Sequence, residues 1–492
     1  MRAPCIWALF RRPLIVIFIQ ALLVQCSGGD ASPPVTLPTP GAANADVIMV
    51  TSPDENGSSK VVGEAGAVNA SGTVRIYSVD STSLFQLPNR FISSTAYAQS
   101  NLLCSTLADT DGSFSCSFLA SIGTLLCITQ VDANGQSSDC LQREVPAGIP
   151  PYNLTTLIDA SIDEASSMTY LLGQDENNHY KLKIFNNQTK THAATLTLND
   201  LSTSLGTAHL TSVTAYNGEV IMTADTQGMI FKITLDSSLT PQGEVATLNV
   251  ASNQQYACSL PTYARFDPEL NAGESSPRFL LVCQNSGVEN RRFLEFDTQL
   301  NSVHRFGQIS GSKSFAFGSE YMSISTSGDH VWYVGAGLAS GNTEIYRLIP
   351  KDNDLFTIKT KEVEGRFRTF SSGDKSNGSD VHIGMGVNQT TSLAGTTFLE
   401  NDDVSLRDIT LTSSVTANDA VCYRRSNCST GYVLSSSEKS VFSVNLSSDT
   451  PTVQGTTSIG GLQPARLLVD ESSGKVIVVD YKSQAVYWVD SL

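Results

Sequence analysis

The sequence predicts an all-β chain with two folded bodies, a β-sandwich followed by a β-propeller. Three observations predict it. Short runs of alternating apolar and polar residues are bounded by Gly, Asn, Asp, Pro and Ser, and no apolar stripe at helical spacing competes with them. Through the C-terminal two thirds, a strand ending near Asp or Asn recurs at intervals of about 45–60 residues, the length of a four-stranded propeller blade. A Pro-rich stretch, Val145-Pro-Ala-Gly-Ile-Pro-Pro-Tyr-Asn153, separates the two regions. At 492 residues the chain is also too long for one ordinary core.

The N-terminus is a targeting segment. Arg2, Arg11 and Arg12 precede an apolar run of eleven residues, Leu14 to Val24, broken only by Gln20. A spanning helix needs about 20 apolar residues, so residues 1–25 read as a removed signal peptide. Leu23-Val24-Gln25-Cys26-Ser27 resembles the lipobox of bacterial lipoproteins, with Gln25 standing where that family places a small residue. The resemblance implies that Cys26 is lipidated and becomes the first mature residue, so that a lipid anchors the chain in a membrane. Ser27 lacks the Asp-type retention signal, which in diderm lipoproteins implies the outer membrane, facing the periplasm or the cell surface. Residues 26–44, with Pro33, Pro34, Pro38 and Pro40, read as an extended tether.

Charge excludes one class of partner. The chain carries 31 basic and 47 acidic residues; without residues 1–25 the balance is 28 against 47, a net charge of −19. A body this acidic repels phosphate backbones, so no nucleic-acid partner is expected.

Beyond Cys5 and Cys26, eight cysteines remain: Cys104, Cys116, Cys127, Cys140, Cys258, Cys283, Cys422 and Cys428. In an exported chain an even set predicts disulfides, here four. Sequence neighbours are the expected partners. Cys104 and Cys116 flank Asp109-Thr-Asp-Gly112, and Cys127 and Cys140 flank Ala133-Asn-Gly135, which places each pair across a hairpin turn. Cys258–Cys283 and Cys422–Cys428 complete the set.

Residues 45–148 form the first body, with strands at Val47–Val50, Thr73–Tyr77 and Leu125–Thr129. Gly63-Glu-Ala-Gly-Ala-Val68, Asp111-Gly-Ser-Phe114 and Asp132-Ala-Asn-Gly135 resemble the strand entry, hairpin and turn of bacterial Ig-like domains. The resemblance implies an Ig-like sandwich. Residues 149–153 are the expected linker, stiffened by Pro150 and Pro151.

Residues 154–492 hold the repeat. Strands at Leu182–Asn186, Ile230–Asp236, Phe293–Asp297, Ile345–Ile349, Val441–Asn445 and Val486–Asp490 each follow an apolar strand and a polar turn. A weaker unit lies around Val404–Ile409. Pro464–Asp470, Lys475–Asp480 and Val486–Asp490 resemble NHL or YVTN-type propeller repeats, in which successive strands end in Asp. The spacing fits seven blades best. The final unit has three strands, and Leu154–Ala160 is the expected fourth, closing the ring by pairing its two ends.

Chemistry is sparsely signposted. Asp109-x-Asp111-Gly112 begins like a calcium loop, but its twelfth position is Ala120 instead of a bidentate Glu. Asp132, Asp470 and Asp480 end strands and are expected to accept backbone N–H groups. The six histidines, His179, His192, His209, His304, His330 and His382, show no HExxH or close pair, and no Gly-x-Ser-x-Gly elbow occurs. His209 and His330 flank strands and are the first candidates for an axial site. Arg291-Arg292, Arg366-Phe-Arg368 and Arg424-Arg425 stand out against the acidic background. Arg424 and Arg425 lie inside the Cys422–Cys428 loop, where they are suited to binding an anion or carboxylate. No cofactor or metal is expected. The leading functional expectation is a non-enzymatic, envelope-anchored binding or scaffolding module that engages a protein or glycan through propeller loops. The alternative is a propeller hydrolase, lactonase or lyase acting on an extracellular sugar or ester at the central funnel.

Overall fold

The structure is a computed structural model. It describes residues 40–79, 101–254, 256, 258–266, 277–284, 291–309, 322–324, 332–337, 342–351, 354–363, 382–388, 393–400, 403–409, 411, 415–423, 429–447, 450–461 and 463–490. Among the described residues the chain is all-β: apart from a few short helical turns, its elements are strands in sheets that are antiparallel except at one bridge.

Among the described residues the first body has seven strands: β1 (Ile48–Val50), β2 (Ser58–Gly63), β3 (Thr73–Ser78), β4 (Asn101–Leu107), β5 (Phe114–Leu119), β6 (Leu125–Val131) and β7 (Leu141–Glu144). They form two sheets, ordered β1-β2-β5 and β4-β3-β6-β7. Alternation explains the sandwich. Phe114, Cys116 and Phe118 point inward from β5, and meet Val74 and Ile76 of β3 and Leu126 and Ile128 of β6 in one core.

The Asp109–Gly112 turn does not join a hairpin. It carries the chain from one sheet to the other, so the Cys104–Cys116 bond runs between β4 and β5 across the sandwich edge. This corrects the expected hairpin placement. Gly112 is required there: its φ is +83°, and a Cβ would stand 2.2 Å from the Val68 carbonyl oxygen. Cys127–Cys140 does tie β6 to the residue entering β7. The body also begins earlier than residue 45. The Asn44 N–H donates to the Ala67 carbonyl (2.8 Å), Ala43 is buried, and the Gln130 amide bonds the Gly41 carbonyl.

The second body is a succession of meanders. The first runs through Thr156–Asp163, Met168–Gln174, Tyr180–Asn186 and Thr191–Thr197. The second runs through Leu210–Tyr216, Glu219–Ala224, Met229–Leu235 and Pro241–Asn249. Leu260–Phe266, Arg278–Gln284, Arg291–Asp297 and Ser302–Ile309 come next, and a parallel bridge from Arg305 to Asp354 joins them to the strands between Met322 and Val363. Then come His382–Asn388, Leu393–Glu400 and Asp403–Asp408, followed by Asp419–Cys422, Thr430–Ser435, Ser440–Asn445 and Thr452–Ser458. Pro464–Asp470, Lys475–Asp480 and Ala485–Asp490 end the chain's strands.

On either side of the eight-stranded sheet, first strands of successive meanders lie side by side. Thr156–Asp163 neighbours Leu210–Tyr216, which neighbours Leu260–Phe266; His382–Asn388 neighbours Asp419–Cys422, which neighbours Pro464–Asp470. Pro464–Asp470 then returns to Thr156–Asp163, so the last meander meets the first. That return makes the second body a β-propeller.

The ring closes with different residues from those expected. Thr156–Asp163 is the innermost strand of the first meander, paired to Met168–Gln174, and so is not the missing outer strand of the last one. The linker fills that place. The Tyr152 N–H donates to the Gln484 carbonyl (2.7 Å), the Val486 N–H donates to the Pro150 carbonyl (3.1 Å), and Pro151 bridges Ala485. Pro151 suits an outermost strand, because its nitrogen faces the far side, which needs no donor, and Pro150 stands at the strand's first position, where proline is tolerated. The buried Tyr152 ring anchors the segment, and its hydroxyl donates to the Asp480 carbonyl (3.1 Å).

Candidate functional site

One polar device recurs along the inner strands. Asp159 of the first meander accepts the Val213 N–H of the second at 2.9 Å. Ser212 of the second accepts the Ala264 N–H of the third at 3.1 Å, and Asp419 accepts the Leu467 N–H of the last meander at 2.9 Å. A side chain on one inner strand thus satisfies a buried backbone donor on the next, where an unmet donor costs about 1–3 kcal/mol. Asp163 repeats the device at the strand's other end, accepting the N–H groups of Asn217 (2.8 Å) and Gly218 (3.0 Å).

The seam between last and first meanders adds an ion pair and a polar cluster. Arg466 donates to Asp159 at 3.1 Å, with both side chains largely buried. Asp470 accepts from the Ser167 hydroxyl (2.5 Å) and the Asn187 amide (2.9 Å), both in the first meander. Burial opposes the charge on Asp470, but these donors and Ser472 hold its carboxyl below the usual range. The Trp488 indole donates to Asn187 (3.0 Å), and Lys475 donates to the Asn187 carbonyl (2.9 Å). Beneath lies an apolar cluster that includes Tyr152, Leu171, Phe185, Ile477, Val479 and Val486.

The sandwich docks across this seam. Met49 of β1 and Val62 of β2 share one core with Tyr432, Leu434, Ile459, Leu467 and Tyr487 of the propeller. Glu55, in the turn between β1 and β2, meets Lys183 (3.1 Å), His192 (3.4 Å) and the Thr195 hydroxyl (3.1 Å), all of the first meander. Burial lowers the pKa of His192 despite the nearby Glu55. Burial also works against the Glu55 charge, but Lys183 and His192 more than offset it and hold its pKa low. Lys60 bonds Gln484 (3.0 Å), Asn153 bonds Asp54 (3.0 Å), and Lys439 reaches the Asp46 carbonyl (3.2 Å). The orientation of the two bodies therefore rests on a shared core ringed by polar pairs, and Pro150–Pro151 serve the ring.

The sequence-derived residues fall in several places. Cys104–Cys116, Cys127–Cys140 and Cys258–Cys283 are bonded, the last tying the approach to Leu260–Phe266 to the neighbouring strand Arg278–Gln284. Cys422 is disulfide-bonded. Cys26, Arg424, Arg425, Cys428, His330 and Arg366–Arg368 lie outside the described residues. Asp132 accepts the N–H groups of Asn134 (2.9 Å) and Gln136 (2.8 Å), and Asp480 accepts those of Gln463 (2.9 Å) and Ser483 (2.8 Å). Asp111 likewise accepts the Ser113 N–H at 2.9 Å.

His209 sits just before Leu210–Tyr216, at the end of the ring where the inner strands begin. Its Nδ1 lies 2.7 Å from Asp225, its backbone N–H is held by Gln227 (2.9 Å), and its side chain is 62% exposed. The sequence does not mark Glu55, at the docking contact, or Asn187, at the seam. Their signal was weak, because a turn Glu and a strand-end Asn are ordinary residues until the fold brings distant elements onto them.

No family model matches the chain, and no curated protein does. Among solved structures, the Dos1 propeller aligns over 92% of this chain and 95% of its own, at 11% identity and a TM-score of 0.46. A functionally unknown protein from Desulfotomaculum acetoxidans aligns over 63% of this chain and 89% of its own, at 16% identity and 0.42. The WD40 domain of a Toxoplasma gondii coronin aligns over 69% and 85%, at 10% identity and 0.43. The chain resembles each in outline; the propeller assignment stands on its own ring of meanders.

Proposed function

We propose that this chain is an exported lipoprotein, anchored through Cys26, in which an Ig-like sandwich and a seven-bladed propeller act as one rigid, non-enzymatic binding body in the cell envelope. The observation that carries the reading is the shared core of Met49 and Val62 with Tyr432, Leu467 and Tyr487. Bodies joined only by a linker move freely, whereas a sizeable apolar interface fixes them. A rigid body on a lipid tether is suited to holding partner-facing loops in a defined geometry. The inner-strand carboxylates Asp159, Asp163 and Asp419 support the same reading, because backbone donors of the next meander engage each of them. The partner class is protein or glycan, and Arg424-Arg425 remain the proposed anion-recognition element.

In-cell crosslinking of the full chain followed by mass spectrometry tests this reading. One dominant envelope partner captured through propeller loops supports it, and well-expressed protein that captures nothing specific overturns it. Cys26→Ser releases the chain from the membrane if Cys26 is the anchor.

A second reading has one observation in its favour. The exposed His209–Asp225 pair has the geometry of an oriented imidazole, as a hydrolase, lactonase or lyase acting on a sugar or ester would need. Turnover that is lost on His209→Ala would favour it over scaffolding.

A further inference from the structure

The sandwich meets the propeller through one side, and among the described residues nothing pairs with the opposite side. β1 and β2 lie against the propeller, while β4 and β5 are the far edge strands of their sheets. Among the described residues no strand pairs with the outer edge of either. Exposed strand edges are usually blunted by charge or proline. The other sandwich edge follows that habit, since β7 carries Arg143 and Glu144, and so does the outer strand Pro241–Asn249, with its leading proline and Glu244. β4, Asn-Leu-Leu-Cys-Ser-Thr-Leu, has neither charge nor proline.

A bulge gives this edge an apolar face. In the pairing with β3, Ile76 faces Cys104 and Tyr77 faces Leu102, so Leu103 is the extra residue. Leu102 is thereby turned to the same outer face as Ser105 and Leu107. Leu102 is 54% exposed and Leu107 is 69% exposed. Leu119 at the end of adjacent β5 is 71% exposed.

We infer that β4 is the self-association edge of this protein, pairing antiparallel with β4 of a second copy. Two features single out a second copy. An antiparallel pair about a two-fold axis at Ser105 sets Ser105 opposite its own copy and, with Leu103 bulged out, Leu102 opposite Leu107 of the partner subunit, so each exposed leucine is met by another. Charge points the same way: the chain carries a net charge of −16, and copies repel wherever acidic residues face each other. β4 offers an uncharged approach, and the joined four-stranded sheets would run continuously through the dimer.

The test places a photocrosslinking residue at Ser105 of the full chain and co-expresses two differently tagged copies. The expected result is a crosslinked species at twice the monomer mass that carries both tags, and none from a control site at Asp139. Leu102→Lys with Leu107→Lys puts like charges across the pair, and the crosslink should be lost. Both positions are exposed, so folding should survive. Retention of the Cys104–Cys116 bond and an unchanged unfolding midpoint would verify that. Crosslinking from Ser105 only within one chain, or only to a protein of another mass, would overturn the inference. Neither outcome bears on whether propeller loops bind an envelope partner.

Discussion

The junction between the first and second meanders and the seam between the last and first solve the same packing problem under different constraints. At the junction the chain is continuous. Asp159 and Asp163 supply acceptors to Val213, Asn217 and Gly218, and an apolar core that includes Leu172, Leu182, Val213 and Val220 does the rest. At the seam no peptide bond links the two sides. The same inner-strand position carries Arg466 paired to Asp159, and Ser167, Asn187, Trp488 and Lys475 form a cluster around Asp470. The seam also recruits the linker as an outer strand and the sandwich as a cover. Where the backbone does not hold two blades together, side chains and a borrowed strand must, and the extra contacts concentrate there.

Breaking the seam at its anchor should have the largest effect. Tyr152→Ala removes a fully buried ring and its hydrogen bond to Asp480, and should cost about 3–5 kcal/mol, read as a lower urea midpoint. Arg466→Ala leaves the Asp159 carboxylate buried without its cation and should cost about 3 kcal/mol by the same measurement. Asp163→Ala at the ordinary junction orphans the N–H groups of Asn217 and Gly218 across it and those of Ala165 and Ser166 in its own turn, and should cost about 1–3 kcal/mol. Equal losses at junction and seam would erase the contrast between them.

Acid should sharpen the comparison. His192 has a pKa below its usual 6.5, so its contribution to docking is complete above that pH and is lost as pH falls through the lowered value. Glu55, also held low, contributes above its usual 4.5 and loses that contribution at still lower pH. Both therefore weaken the sandwich–propeller contact on the acid side. Proteolysis within residues 145–153 should rise as pH falls below 6.5, and the rise should begin at lower pH in His192→Phe. The smallest effect is expected at His209→Ala. Its side chain is exposed, so stability should change by no more than about 0.5 kcal/mol.

Much of the fold was legible because β-structure writes itself locally. Alternation and turn residues marked the strands of both bodies, and the recurring strand-to-Asp element marked the meanders. Ring closure was legible as a principle, since a final meander of three strands needs a fourth. Its residues were not. Leu154–Ala160 and Pro150–Tyr152 are both extended segments next to the right place, and the choice depends on Asp159 reaching Val213 and Arg466 across the ring. The sandwich's docking was hidden for the same reason. Met49 and Val62 read as ordinary strand residues, and their burial depends on Tyr432 and Tyr487, which lie in the last two meanders of the chain. For Cys104 and Cys116 the sequence shows a turn between the cysteines but not that this turn changes sheets, so it points to a hairpin where the chain crosses the sandwich edge.

The central claim is that the linker is a strand of the propeller and that the two bodies are thereby one. Amide hydrogen exchange of the full chain tests it at two positions, the N–H groups of Tyr152 and Val486, which donate to Gln484 and Pro150. The account predicts protection comparable to central strands such as Lys475–Asp480. Exchange at the rate of the exposed turns would contradict it, leaving the ring open at its seam and the sandwich free to swing.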